Sequence, residues 1–249
     1  MSDEFFVGYL PVKPHLRRFV LVATAAALLL VIGLGIVVAA AQRDPGRGSW
    51  KLDQVADHDG LLLARPAPLL RVRDADGRAR TVLLIAEGKH GTTDVVARFD
   101  GHLVRARGTL IERDGVAMLE LVSDGIRDFA EILIDRASLE LPAASDPKTA
   151  PMPISLRGEV IDPKCFLGAM KPGEGKTHKA CAALCLRGGV PPMFATLGPD
   201  GRVAARLIDS PDVEQLVAFV GDLVDIVADE WRCDDLRMIR IREIRRVGS

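Results

Sequence analysis

Apolar and polar positions along the chain fall into three regimes. From Phe19 to Ala41 the sequence FVLVATAAALLLVIGLGIVVAAA carries no charge. A helix of that length spans roughly 34 Å, enough to cross the hydrocarbon core of a bilayer. Between residues 50 and 140 short apolar runs are broken by turn signals. LLRVRDADGRARTVLLIAE (69–87) folds back at Asp76-Gly77, and GHLVRARGTLIERDGVAMLELV (101–122) at Asp114-Gly115, each the signature of a β-hairpin. Four prolines between residues 141 and 153 then mark a linker.

From residue 154 the strand pattern resumes. ISLRGEVID (154–162) predicts a strand, His178 to Leu186 a helix stopped by Gly188-Gly189, and residues 193–196 and 203–208 a strand pair around Gly198-Pro199-Asp200-Gly201. Ser210-Pro211 predicts a helix start, with the helix running to about Val220. Two strands, 223–227 and 236–244, close the chain.

A repeat links the two β regions. Shifted by 120 residues, FDGHLVRARGTLIERDGVAMLEL (99–121) falls on FVGDLVDIVADEWRCDDLRMIRI (219–241) without a gap. Phe99/Phe219, Gly101/Gly221, Leu103/Leu223, Val104/Val224, Asp114/Asp234 and Met118/Met238 are identical. The order of helical lead-in, glycine, strand, Asp turn and strand fits the last part of an OB-type barrel. The expected fold is therefore mainly β. A cytoplasmic tail (1–18), a transmembrane helix (19–41) and a tether (42–49) precede two tandem OB-like barrels, 50–140 and 154–249, joined by the linker 141–153. Gly101 and Gly221 should open equivalent strands.

Charge adds topology and excludes one class of partner. Lys and Arg total 33 against 34 Asp and Glu, net −1, a balance that argues against an electrostatic nucleic-acid binder. Lys13, Arg17 and Arg18 precede the apolar span, and Arg43, Arg47 and Lys51 follow it. The arginines abutting the span place the tail inside the cell and the barrels in the periplasm, with the bilayer as a partner through residues 19–41. A cleaved signal peptide ending at the alanines 39–41, and export through the twin arginine, are the alternatives.

The candidate chemistry lies in MKPGEGKTHKACAALC (170–185). PGEGKT looks like a phosphate loop, but the first glycine of that motif would have to be residue 170, which is Met170. Nucleotide binding is not expected. All four cysteines, Cys165, Cys181, Cys185 and Cys233, lie in the second barrel. His178, Cys181 and Cys185, spaced i, i+3, i+7, share one helix face, with Cys165 expected to close the preceding strand. Three readings stand. Structural disulfides suit an exported domain, one helix cysteine pairing with Cys165 and the other with Cys233. A Zn or Cu site would take Cys165, His178, Cys181 and Cys185. A redox-active thiol pair is the third.

The cues Gly-x-Val-x-Asp-x2-Cys (158–165), His-x2-Cys-Ala-x2-Cys (178–185) and Gly-Val-Pro (189–191) resemble a group of uncharacterised bacterial exported or membrane-anchored OB-like domains, over roughly residues 156–244. That resemblance implies fold and site, and no activity. His90 and His102 read as surface residues, and Asp222, Asp225, Asp229 and Glu230 as a solvated face. Ser123 and Ser155 lack a nucleophile elbow. The expected function is a non-catalytic, extracytoplasmic binding or assembly module with a membrane protein partner, accessory to a membrane redox system. The alternative is a metal or thiol-redox protein built on the Cys/His cluster.

Overall fold

The structure is a computed structural model that describes residues 12–42, 48–74, 76–128, 149–198, 202–210, 212–233 and 235–248. It divides into an N-terminal unit, residues 1–44, and a β unit, residues 45–249. In the first, α1 (Arg17–Ala41) is an unbroken helix with an 18-residue stretch of mean hydropathy 2.8, long and apolar enough to cross a membrane.

The β unit holds two closed five-stranded barrels. The first is made of β1 (Ser49–Leu63), β2 (Leu69–Arg73), β3 (Ala79–Ile85), β4 (Leu103–Arg113) and β5 (Val116–Asp128), with α2 (Thr93–Val96) leading into β4. The second is made of β6 (Met152–Ile161), β7 (Met193–Leu197), β8 (Val203–Ile208), β9 (Leu223–Cys233) and β10 (Leu236–Arg246). Helix α3 (Lys179–Arg187) links β6 to β7, and α4 (Val213–Val217) lies between β8 and β9. Strand order is the same in both, β1-β2-β3-β5-β4 and β6-β7-β8-β10-β9, with only the third and fifth strands parallel. That is the OB arrangement expected from the repeat.

Local chemistry accounts for the repeat. Gly101 and Gly221 sit at φ 77° and 73°, a region that favours glycine, each two residues before a strand. The next residue closes the same turn in both barrels: the His102 N–H donates to the Phe99 carbonyl at 2.9 Å, and the Asp222 N–H to that of Phe219 at 3.1 Å. Asp114 and Gly115 both have positive φ, 48° and 88°, as a two-residue hairpin turn requires. Asp234 lies outside the described residues.

The apolar runs of the strands are continuous because both faces are buried. In β3, Val82 and Leu84 enter the core of the first barrel, while Leu83 and Ile85 face the other way. In β8 and β7, Ile208 and Phe194 fill the second barrel, while Leu207 and Met193 face outward. The outward residues of the two barrels meet in one apolar layer. Leu69, Leu83 and Met118 are neighbours across β2, β3 and β5, and Met193, Leu207 and Met238 hold the matching register in β7, β8 and β10. All six are members of that layer. The two tandem barrels are thus packed into one body. The linker segment 141–148 lies outside the described residues.

Three expectations shift in detail. β6 begins at Met152, two residues early. The helix expected over 210–220 is only Val213–Val217, and its N-cap is Asp212, whose side chain accepts from the Glu214 N–H at 3.0 Å. Pro211 lies outside the described residues. Cys165 does not close a strand: β6 ends at Ile161, and Cys165 opens a π-helical turn, Cys165–Ala169.

Candidate metal centre

The site is built where β6 ends. Asp162 is fully buried, and its Oδ1 accepts the Lys164 N–H at 3.0 Å, an Asx turn that swings the chain into the π turn carrying Cys165. Its Oδ2 lies 3.4 Å from Nε2 of His178. The chain then loops through the glycines of PGEGKT. Gly173 passes so close to the Cys165 carbonyl that a Cβ would sit 2.3 Å from the oxygen. Gly175, at φ 74°, donates its N–H to Glu159 Oε1 at 2.8 Å. These glycines serve a tight turn that delivers His178 to the start of α3.

Helix α3 presents His178, Cys181 and Cys185 inward on consecutive turns. His178 and Cys185 are buried and Cys181 half-buried. Gly188-Gly189 ends the helix as expected: the Gly188 N–H donates to Leu184 O at 2.9 Å, Gly189 adopts φ 93°, and the Val190 N–H returns to Cys185 O at 3.0 Å.

Donor atoms of Cys165, His178 and Cys181 lie within 4.8 Å of one another, and those of Asp162, Cys165 and Cys185 do likewise. Cys165 belongs to both groups and joins them, with His178 and Cys181 on one side and Asp162 and Cys185 on the other. Among the described residues His178 Nδ1 is buried with no hydrogen-bond partner. The structure places Cys165, His178 and Cys181 of the four expected ligands in one group, with Cys185 linked to it through Cys165. It adds Asp162, which stands in the Gly-x-Val-x-Asp-x2-Cys cue and was given no role in the site.

Cys165, Cys181 and Cys185 are free thiols. Cys165 Sγ and Cys181 Sγ are 4.0 Å apart, about twice the bonded length. Cys233, at the end of β9, belongs to the apolar layer between the barrels and to neither donor group.

Sequence reasoning gave no hint that the first barrel reaches this site. Lys89, on the loop after β3, places Nζ 2.7 Å from Cys181 Sγ and 3.9 Å from Cys185 Sγ. The contact with Cys181 raises the Lys89 pKa. The neighbouring Cys165 draws the Cys185 thiol down, with Lys89 helping, and Cys185 together with burial pushes the Cys165 thiol up. Next to the cluster, Lys164 donates to Glu120 of β5 and to the Gly88 carbonyl, and stands 5.8 Å over the Trp50 ring. At the far end of α3 the Gly91 N–H donates to Gly188 O at 2.8 Å. The loop after β3 of the first barrel thus meets α3 at Cys181, Cys185 and its C-cap Gly188.

Other expected surface residues have partners. His102 pairs with Asp128. The acidic residues expected as a solvated face are ion pairs: Asp222 with Lys179 (2.8 Å) and Arg246 (2.9 Å), Asp225 with Arg157 (2.7 Å), Asp229 with Arg242 (2.7 Å), Glu230 with Arg206 (2.7 Å). Cross-strand pairing on the barrel wall accounts for Asp225 with Arg157, on β9 and β6, and for Asp229 with Arg242, on β9 and β10. The chain matches no protein-family model and no curated protein sequence.

Proposed function

We propose that the protein is a membrane-anchored, extracytoplasmic binding module whose special feature is a metal centre formed by Cys165, His178, Cys181 and Cys185. Three thiolates and an imidazole are the donor set of closed zinc sites, and they also suit copper. In this reading α1 spans the inner membrane once, residues 1–18 stay in the cytoplasm, and the barrels stand in the periplasm. There they serve an assembly or accessory role beside a membrane redox partner. The metal fixes α3, in the connection between the first two strands of an OB barrel, a region such barrels use for binding.

One observation carries the reading: among the described residues His178 Nδ1 is buried without a partner, and the imidazole shares one group with the Cys165 and Cys181 thiols. Leaving such an atom unpaired costs about 1–3 kcal/mol, and a metal bond removes that cost. Asp162 then plays the carboxylate that orients a ligating imidazole through its other nitrogen.

The test is elemental analysis of full-length protein purified in detergent without chelator, beside a thiol count. Stoichiometric zinc or copper that is lost in Cys165→Ser supports the centre. A metal-free protein with oxidised Cys165 and Cys181 returns the site to the disulfide reading. A reporter fused after Ser249 tests the topology, since one active only outside the cytoplasm should work there.

A further inference from the structure

The donor set lies wholly in the second barrel, yet its charge is not balanced there. Three thiolates and the Asp162 carboxylate outweigh a divalent ion by two negative charges. Lys164, the nearest cation in sequence, is committed to Glu120 and the Gly88 carbonyl. The cation that faces the thiols is Lys89 of the first barrel, 2.7 Å from Cys181 Sγ and 3.9 Å from Cys185 Sγ. At 2.7 Å the pair is as close as a short N–H···O bond, although sulfur is the larger atom. Its loop is fixed as well. The Gly91 N–H donates to Gly188 O, and a Cβ on Gly188 would lie 1.8 Å from the Lys89 carbonyl.

We propose that Lys89 is the counter-charge of the metal centre, donating from its ammonium to the Cys181 and Cys185 thiolates, so that the loaded site is shared by both barrels. This rests on the metal reading above. Lys89 does not touch the metal; it acts through the ligating sulfurs and is a positioning residue. Its reach has a structural result. Every metal bound at α3 also tightens the loop 86–91 of the first barrel onto the helix, so occupancy of the site and docking of the barrels rise together.

The experiment titrates zinc chloride into full-length wild type, Lys89→Met and Lys89→Arg, and repeats each with cobalt(II), read by its thiolate absorption bands. Loss of an outer-shell partner of this kind weakens metal binding by about 10–100-fold. Lys89→Met should show that loss and displaced cobalt bands, and Lys89→Arg should recover most of both. Zinc should also shield Lys89 from acylation by an amine-reactive reagent. Equal or tighter zinc binding by Lys89→Met would overturn the proposal, because the ammonium would then be a bystander or a competitor for the metal's place. Faster acylation of Lys89 on zinc addition overturns it too, even if the variants fold poorly. If wild type takes up no zinc or cobalt, the metal centre itself falls and this proposal with it. If wild type binds and the variants match it, only the role of Lys89 falls.

Discussion

The Asp114 carboxylate, in the β4–β5 turn of the first barrel, accepts the backbone N–H of Val203, in β8 of the second, at 3.1 Å. The contact is returned: Asp235, in the β9–β10 turn, accepts the N–H of Thr81, in β3, at 2.8 Å, and its hydroxyl as well. Each barrel thus lays its last hairpin turn against the third strand of the other, above an apolar layer in which Leu83 and Leu207 hold the same register. The two halves meet through like surfaces, the arrangement of an isologous dimer.

Truncating this layer should cost about the same from either side. Leu83→Ala and Leu207→Ala each remove a side chain that is 1% exposed, for about 2–5 kcal/mol. Urea unfolding should remain a single transition in wild type and in both variants. Two separate transitions would mean that the barrels fold independently.

The pair Lys164 and Glu120 joins the barrels with side chains only 7% and 9% exposed. Lys164→Met should destabilise by about 3–5 kcal/mol, because it strands a buried carboxylate. Adding Glu120→Leu should restore most of that loss in the same thermal melt. A double variant as weak as the single would show that the ion pair was not the cause.

Gly188 has φ −75° and ψ −1°, a conformation alanine adopts freely. The Cβ of Gly188→Ala would nonetheless meet the Lys89 carbonyl at 1.8 Å. The variant should therefore lower the melting temperature and weaken zinc binding together, through the docking of α3 alone. Unchanged stability would mean that the loop yields at no cost.

Two acids should shape opposite limbs of the stability–pH curve. Lys179, then Arg246, holds the Asp222 carboxyl below its ordinary range, so its contribution is present at neutral pH and is lost as pH falls through the native value. Asp222→Asn should flatten that acid limb. Burial raises Glu159, against the opposing Gly175 N–H, so its contribution is full in acid and declines as pH rises through the carboxylate range. Glu159→Gln should gain relative to wild type on going from pH 4 to pH 7. Parallel curves for variant and wild type would rule out either assignment.

Much of the fold could be read from the chain because its signals are local. The Asp-Gly hairpins, the paired glycines 101 and 221, and the Gly188-Gly189 stop are each set by backbone chemistry within a few residues. The helix face of His178, Cys181 and Cys185 follows from spacing. The packing of the barrels against each other was not legible. Runs such as VLLI at 82–85 state that both strand faces are apolar, and do not say what covers the second face. Lys89 gave no signal at all, since it lies 92 residues from Cys181 and is ordinary in composition. Asp162 stood inside a quoted motif, but only the Asx turn reveals that its second oxygen is aimed at His178.

An isologous contact between separate chains dissolves on dilution, since mass action sets its occupancy. Here the same contact is tethered within one chain, so its effective concentration is fixed by the connecting segment and not by how much protein is present. Symmetric partners must also change together, because one gene copy writes both faces. The two halves of this chain are under no such bond. Leu69 faces the layer from one side and Met193 from the other, and α3 with its thiols has arisen in only one of the two β-strand connections. Tethering leaves the shared layer in place while one half acquires chemistry that the other merely supports.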